Sequence, residues 1–377
     1  MTPNRCDLRE REPLAPRTTF GVGGPARFFV EVTQREDLVL ALDKAASLGV
    51  PAFVLGGGSN LLVADRGIDA LVIRLALRGI ESEHDGGSVR YTVAAGERWD
   101  AVVERAVNEG LAGVECLSGI PGDVGATPIQ NVGAYGQDVS ETIERVDVLD
   151  RRSHELSSLD GAACGFAYRD SIFKGEARGR WIVTSVTFRL RPGSEPTVRY
   201  AELERALGSE RRSVRLVRET ILRLRRGKGM VLDDGDADTK SAGSFFTNPI
   251  VPDGDVAPVI ERARSLGKLG PNETMPSWPA EAGRTKLSAA WLIERAGFPK
   301  GTIRGRAGTS SKHSLALVNR GGASASEIVA LAREIQDGVG ARLGVRITPE
   351  PELVGFEQSE IGDLYLSPDP LPLRLDG

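Results

Sequence analysis

The segment from Ser118 to Gln137, SGIPGDVGATPIQNVGAYGQ, constrains the fold more than any other part of the chain. It contains five glycines and two prolines, and Asp123 is its only charged residue. Glycine lets a ligand approach the main chain closely, and successive outward N–H groups form a partly positive hollow that suits a phosphate or pyrophosphate. The segment is also too apolar for an exposed linker. Two interpretations are open: an ordered loop that lines a buried anionic ligand, and a set of tight turns between strands.

A second glycine-rich loop, GGGSN at residues 56–60, joins two predicted strands, PAFVL and LLVAD. Neither loop has the GxGxxG pattern at a strand-to-helix turn with an acidic residue ~20 positions later, which is typical of dinucleotide folds. The chain also lacks GxxxxGK[ST], which argues against a P-loop ATPase. The pattern therefore favours a nucleotide site built from loops between strands, with a simple hairpin turn as the alternative for GGGSN.

The totals limit the class of protein. A chain of 377 residues can form two or three domains, and a net charge of −4 gives no electrostatic reason to expect nucleic acid or an anionic membrane as a partner. The three cysteines and three histidines are scattered, so the sequence predicts neither disulfides nor a metal site. No apolar run approaches the ~20 residues of a membrane span, and the N-terminus lacks the apolar core of a secretory signal. We expect a cytoplasmic enzyme, monomeric because no heptads are present.

Hydrophobic periodicity predicts alternating strands and helices in the first half, which favours an α/β or α+β domain. Residues 1–17 are expected to be irregular, and the proline-rich tail from Leu353 onward to wrap an earlier domain. Capping boxes are predicted at Thr33 with Glu36 and at Ser324 with Glu327. Strands are predicted at 26–32, 51–55, 61–65, 69–75, 89–96, 143–150, 180–192, 313–319 and 344–348, and helices at 36–49, 98–110, 217–226, 287–296 and 326–337.

Five motifs occur in order along the chain: LGGGSNLLVAD, LSGIPGDVGATPIQNVGAYGQ, FAYRDSIFK, SAGSFFTNP, and a late Pro-Glu in GVRITPEPELVG. Because the five motifs occur in this order, the chain resembles the UDP-N-acetylenolpyruvoylglucosamine reductase (MurB) family over residues 18–355. The set is far more specific than any one motif. The resemblance implies an α+β fold with FAD-binding domains of the PCMH/vanillyl-alcohol-oxidase type and a C-terminal α+β substrate domain.

The implied domains are a first FAD-binding subdomain (1–70, joined by the tail 345–377), a second (71–210), and a substrate-binding domain (211–344). Several members of the wider superfamily attach FAD through a histidine at or near the first glycine loop, where this chain has Ser59 and Asn60. Noncovalent FAD is therefore expected. The implied FAD-contacting residues are Gly56, Gly57, Gly58, Ser59, Asn60, Ser118, Gly119, Ile120, Pro121, Gly122, Gly125, Asn131, Gly133, Ala134, Tyr135 and Gly136.

The family reaction implied is the reduction of the enolpyruvyl ether of UDP-N-acetylglucosamine to UDP-N-acetylmuramate, a step of peptidoglycan precursor synthesis. NADPH reduces FAD, and hydride then passes from flavin N5 to C3 while C2 is protonated. By motif, Arg169 polarises the substrate carboxylate, Ser244 protonates C2, and Glu350 helps to stabilise the enolate. Such chemistry needs a cationic or protonated donor at the carboxylate and a proton donor over C2.

Three further residues match family contacts to the substrate. Tyr200 corresponds to the tyrosine of a substrate-closing loop in one subgroup, and Lys228 and Asn248 to residues that hold the UDP diphosphate and the sugar. The alternatives are a partly buried strand aromatic for Tyr200 and an exposed basic loop for Lys228.

The catalytic residues also have simpler interpretations: a surface ion pair for Arg169, a turn residue for Ser244 and a solvated carboxylate for Glu350. If the alignment slips by two positions, Glu352 replaces Glu350. Two other functions stay open from the sequence. One is another FAD-dependent oxidase or dehydrogenase of the same superfamily, and the other is a sugar-nucleotide-binding protein without catalysis.

Overall fold

The computed structural model describes residues 7–209, 212–270 and 272–364. The chain forms two compact units. Among the described residues, the first contains those up to Glu12, Ala26–Gly58 and those from Asp69 to Val231, and the second contains Pro13–Pro25, Ser59–Ile68 and those from Leu232 onward. The division into two FAD-binding subdomains and a substrate domain stays a prediction.

The first unit is built on two sheets. One has four strands in the order Arg9–Pro13, Pro25–Val32, Ile68–Leu75 and Ala52–Leu55, the last two being parallel. The other is antiparallel, in the order Leu156–Asp160, Ile143–Asp150, Trp181–Pro192, Ser88–Ala94 and Ile80–Asp85, and Leu111–Ala112 also pairs with Trp181–Pro192. The helices are Asp37–Ser47, Trp99–Asn108, Ala201–Leu207 and Val214–Gly227, and a short pair of strands joins Gly133–Ala134 to Gln137–Asp138.

The helix Trp99–Asn108 connects the core of this unit to the glycine-rich loop. Its buried face carries Trp99, whose ring lies 5.4 Å from that of Phe188 on the central strand. The indole N–H of Trp99 donates a 3.2 Å hydrogen bond to the carbonyl of Leu117, the residue before the loop. The apolar spacing that predicts this helix therefore also positions the start of the loop.

The second unit is centred on the long helix Ala325–Leu343, whose buried face includes Ile328, Leu331 and Ile335. Ser324 and Glu327 form a capping box at its start, which confirms that prediction. The other helices are Asp253–Ser265, Ala289–Arg295 and Gln358–Ile361. The sheets are Ile250–Pro252 with Arg284–Leu287 and Ser277–Pro279, Ile303–Arg304 with Ala307–Thr309 and Leu317–Asn319, and the parallel pair Leu61–Val63 with Glu352–Val354.

Four local predictions are wrong. Arg9–Pro13 is a strand rather than irregular chain. The helix Asp37–Ser47 starts without a side-chain cap, because the carbonyls of residues 34 and 35 accept from Asp37 and Leu38 N–H. Residues 344–348 are not a strand: Gly344 ends the long helix with φ 73°, and the segment makes too few ladder bonds. That helix also runs six residues past its predicted end at 337.

The predicted strand at 313–319 is shorter in the structure, Leu317–Asn319. The proline-rich tail lies mostly at residues 365–377, outside the described part of the chain. Within the described ranges, no helix is long and apolar enough to cross a membrane. No group of three or more His, Cys, Asp or Glu residues in those ranges could hold a metal ion.

Candidate active site

The two glycine-rich loops meet backbone to backbone in the first unit. A Cβ atom placed on Gly57 would lie 2.7 Å from Cα of Gly122 and 3.0 Å from the nitrogen of Asp123, closer than real Cβ atoms come. Gly122 itself has φ 112°, a conformation that side chains rarely adopt. By contrast, a Cβ on Gly56 would meet no protein atom within 4 Å. Glycine is therefore required at 57 by the loop-to-loop contact, while at 56 it leaves open space.

The segment 118–136 is an ordered loop held from several sides. The N–H of Gly119 donates to the carboxylate of Asp100 at 2.6 Å, and the N–H of Gly125 donates to the Ala95 carbonyl at 2.8 Å. Asp123, the only charged residue of the stretch, is buried beside the guanidinium of Arg74 at 2.8 Å. Burial raises the pKa of Asp123 although Arg74 opposes the shift. The contact between Asp123 and Arg74 anchors the loop.

A buried cation lies beside this loop. The guanidinium of Arg225 donates to the carbonyl of Met230 at 2.8 Å, and its Nε has no hydrogen-bond partner. A Cβ on Gly119 would be 2.8 Å from Cδ2 of Leu222 and 3.5 Å from that Nε, so glycine at 119 lets the helix Val214–Gly227 pack against the loop. Burial lowers the pKa of Arg225. Arg225 thus places a buried positive charge beside the glycine-rich loop, which fits an anionic group such as the pyrophosphate of a flavin nucleotide.

Sequence reasoning missed Arg225. It belongs to a cluster of arginines at 223, 225 and 226, and helical spacing does not by itself distinguish the one that turns inward.

The side chain of Arg169 packs against the second half of the glycine-rich loop. Its guanidinium donates to the carbonyls of Asn131, at 3.2 Å, and Gly133, and lies 3.6 Å from the carboxylate of Asp138. Its side chain is 19% exposed, which argues against a solvated surface ion pair. The amide of Asn131 in turn donates to the Ala167 carbonyl at 3.0 Å and accepts from Ser140 N–H at 3.2 Å. The structure thus joins two motifs that are separate in the sequence.

Backbone strain is concentrated in the same place. Among the described residues, five other than glycine have positive φ, and three of them are predicted site residues: Asn131 (46°), Tyr135 (50°) and Arg169 (56°). Such conformations cost free energy and persist only where the surrounding contacts enforce them, which is frequent at functional sites.

Tyr135, Tyr200 and Lys228 form one cluster, although they come from three parts of the chain. The two tyrosine rings meet edge to face with centroids 5.6 Å apart, and Nζ of Lys228 lies 5.4 Å from the Tyr135 ring centroid. Burial raises the pKa of Tyr135 to about 12 and also raises the pKa of Tyr200. Lys228 is paired with Glu202, a residue that the sequence patterns did not single out.

In the second unit, Ser244 and Glu350 lie on two segments that pair side by side. The Glu350 N–H donates to the Phe245 carbonyl at 2.8 Å, and Thr247 N–H donates to the Thr348 carbonyl at 3.0 Å. Ser244 and Glu350 are both half-buried, whereas Glu352 is exposed and begins a strand. The choice between Glu350 and Glu352 as the catalytic carboxyl stays a prediction.

The same unit holds the end of the first glycine loop and Asn248. The amide of Asn60 donates to the Glu350 carbonyl at 3.3 Å, and the carbonyl of Ser59 accepts from the Thr19 hydroxyl at 3.4 Å. The Asn248 side-chain oxygen accepts from Ala289 N–H at 2.9 Å, at the start of the helix Ala289–Arg295. Asn248 thus also has a structural contact that its motif did not reveal.

Two family models match the chain. One, described as the C-terminal domain of UDP-N-acetylenolpyruvoylglucosamine reductase, covers residues 235–354, and one described as an FAD binding domain covers residues 26–157. A UDP-N-acetylenolpyruvoylglucosamine reductase from Thermobifida fusca is 51% identical over 348 residues, which are 91% of this chain and 97% of that protein. The chain belongs to the UDP-N-acetylenolpyruvoylglucosamine reductase family.

Further relatives agree with this assignment. The reductase from Saccharopolyspora erythraea is 52% identical over 348 residues, 90% of this chain and 94% of its own. The crystal structure of the MurB reductase from Thermus caldophilus matches with a TM-score of 0.62 at 27% identity, covering 93% of this chain and 99% of that one. The family and the fold class predicted from the five motifs are therefore confirmed, with an FAD binding domain followed by a C-terminal reductase domain.

Proposed function

We propose that this member of the reductase family is an FAD-dependent oxidoreductase that uses NADPH to reduce UDP-N-acetylenolpyruvoylglucosamine to UDP-N-acetylmuramate, a step in peptidoglycan precursor synthesis. The observation that carries this proposal is the 51% identity to a protein of that name over 97% of its length. Agreement over nearly the whole chain includes both the flavin-binding part and the C-terminal part, so the reaction does not rest on the flavin domain alone.

The glycine loops and Arg225 are the groups that we propose hold the cofactor. FAD, when bound, supplies the hydride chemistry that amino-acid side chains lack. The contact between Gly57 and Gly122 keeps side chains away from the main chain of both loops. The unpartnered Nε of Arg225 offers a buried donor at Gly119. No histidine occurs in either loop, and we propose that FAD is held noncovalently.

Arg169 is proposed to stabilise the negative charge that develops on the substrate carboxylate. A guanidinium offers a fork of N–H donors that matches a carboxylate. Carbonyls of Asn131 and Gly133 accept from its guanidinium, so its orientation is fixed before the reaction begins. Preorganised donors of this type contribute ~10²–10³ in rate.

Ser244 is proposed to donate the proton to C2, and Glu350, protonated, to support the developing enolate. Pairing between the segments 244–247 and 348–350 fixes the main-chain positions of both residues. A hydroxyl is a weak acid in water but can protonate a strongly basic carbon where water is excluded. Tyr200, Lys228 and Asn248 are each proposed to contact the substrate, Lys228 and Asn248 at the UDP diphosphate and the sugar.

The cellular setting is also a proposal. Cys116 and Cys164 are buried free thiols, and such thiols fit a reducing compartment. We propose a cytoplasmic enzyme that acts as a monomer.

The two half-reactions, followed separately by flavin absorbance without oxygen, test the proposed function. NADPH should bleach the flavin, and the enolpyruvyl sugar nucleotide should restore its colour with one equivalent of product formed. A flavin that NADPH bleaches but the sugar nucleotide leaves reduced would point instead to an oxidase or dehydrogenase for another substrate.

A further inference from the structure

Lys228 is neutralised by a carboxylate within its own unit. Its ammonium lies 2.6 Å from Oε2 of Glu202, and each of the two side chains is 32% exposed. Lys228 follows the last turn of the helix Val214–Gly227, whereas Glu202 lies in the first turn of the helix Ala201–Leu207. The pair therefore joins the end of one helix to the start of another, next to Tyr200.

An aromatic ring also lies close to this ammonium. The Tyr135 ring centroid is 5.4 Å from Nζ of Lys228, and the Tyr200 ring packs edge-on against Tyr135. Both side chains are partly withdrawn from solvent, which reduces the screening of their attraction. An approaching anion therefore meets a neutral pair, although the sequence contains a lysine at this position.

We infer that Glu202 is a competing counter-ion: it occupies the Lys228 ammonium until a nucleoside diphosphate takes its place. This inference rests on the proposed function, in which Lys228 contacts the diphosphate of the substrate. A monovalent anion has no advantage over a carboxylate already held at 2.6 Å. A diphosphate brings at least two negative charges together with the binding contacts of its nucleoside, so it can displace the carboxylate where simple anions cannot.

The substitution Glu202→Gln separates charge from position. Glutamine keeps the length of the side chain and an oxygen that can accept from the ammonium, but it removes the negative charge. Glu204→Gln is the matched control, because Glu204 lies in the same helical turn, is 63% exposed and pairs with Arg212 at 3.4 Å instead. Both variants are prepared as holoenzymes, and their flavin content and melting temperature are compared with those of the wild type.

Calorimetric titrations with UDP and with inorganic pyrophosphate test the inference. We expect Glu202→Gln to bind UDP roughly fivefold more tightly, the factor that corresponds to an interaction of about 1 kcal/mol. Pyrophosphate should gain by a similar factor, since it would meet the same freed ammonium. Glu204→Gln should bind both within about twofold of the wild type. If the glutamine variant folds poorly, Glu202→Ala takes its place and should change UDP affinity in the same direction.

Unchanged or weaker UDP binding by Glu202→Gln overturns the inference and makes the pair a structural contact. Lys228→Ala distinguishes this from a failure of the site assignment. If Lys228→Ala weakens UDP binding while Glu202→Gln does not strengthen it, only the counter-ion role is wrong. If Lys228→Ala binds UDP like the wild type, the diphosphate site lies elsewhere and the inference fails with it. The flavin half-reactions of the wild type report on the proposed function independently of both results.

Discussion

The main-chain N–H of Glu350 donates a 2.8 Å hydrogen bond to the carbonyl of Phe245, the residue next to Ser244. Ser244 and Glu350, two proposed catalytic residues that are far apart in the sequence, are thereby held on neighbouring segments. The bonds are made by the main chain, so substitution of either side chain should leave the pairing intact. Mutations at these two positions can therefore report on chemistry rather than on folding.

Replacing Ser244 by alanine should separate the two half-reactions. We expect flavin reduction by NADPH to keep its wild-type rate, because the hydroxyl is proposed to act only on the substrate. Reoxidation by the enolpyruvyl sugar nucleotide should slow by ~10²-fold or more, the usual contribution of a general acid. Stopped-flow absorbance measures both steps, and Ser244→Cys should recover part of the lost rate because a thiol also donates a proton. Equal rates in both half-reactions of the alanine variant would remove Ser244 from the mechanism.

Arg169→Lys should lower the rate of the substrate half-reaction by ~10²-fold while FAD remains bound. Lysine keeps the positive charge but has no fork of donors. It therefore cannot donate to the carbonyls of Asn131 and Gly133 in the same geometry. Arg152→Lys, at an exposed turn of the same unit, is the control and should change neither rate. A variant that is purified without flavin would show instead that Arg169 is needed to shape the loop.

The sequence predicts the regular elements well where periodicity is strong, as in the helix Trp99–Asn108 and the strand Pro25–Val32. It fails where a contact with another segment decides the local structure. The strand Arg9–Pro13 has the polar sequence REREP, but an edge strand needs backbone pairing more than apolar side chains, and Arg9 lies over the ring of Phe29. Thr33 matches a capping pattern, yet main-chain carbonyls already satisfy the first helical amides.

The same limit applies to the candidate site. The motifs identify Arg169, Tyr135 and Lys228, because glycine density and the family pattern are visible in the sequence. They do not identify the partners Asp138 and Glu202, because only the folded chain brings these carboxylates to their cations. Whether Arg169 acts together with Ser244 and Glu350 stays a prediction that the half-reactions test.

Gly57→Ala should destabilise the protein and lower its FAD content, whereas Gly56→Ala should leave the free energy of unfolding near the wild-type value. The added methyl group at 57 would lie 2.7 Å from backbone of Gly122, and backbone cannot move aside as a flexible side chain can. Overpacking of this kind costs about 1–3 kcal/mol. Urea unfolding of the apoproteins measures the stability of both variants without the cofactor.

The flavin content of the two glycine variants then separates steric effects within the protein from contact with the ligand. Gly56→Ala meets no protein atom within 4 Å, so any loss of FAD in that variant reports a direct contact between position 56 and the cofactor. If Gly57→Ala is as stable as the wild type and retains its flavin, the close approach of the two loops is not required.

Asp100→Asn should lower stability at neutral pH by about 1 kcal/mol, a value reduced from that of a buried charged hydrogen bond because the side chain is 39% exposed. Asp100 accepts from Gly119 N–H and from Arg218, both at 2.6 Å, and so ties the glycine-rich loop to two helices. Burial opposes ionisation of Asp100, but the bonds from Arg218 and Gly119 outweigh it, and the net pKa is lowered.

The sign of the pH dependence follows from that shift. A carboxyl whose pKa is lower in the folded state stabilises the protein above the unfolded-state pKa of ~3.9, and this contribution is lost as the pH falls through the folded-state pKa. The difference in the free energy of unfolding between wild type and Asp100→Asn should therefore be constant from pH 8 to about pH 5 and shrink below ~3.9. Urea unfolding across this range measures it, with Glu219→Gln, an exposed position on the helix Val214–Gly227, as the control. A difference that grows toward acid pH would mean that the Asp100 carboxylate does not stabilise the loop in its ionised form.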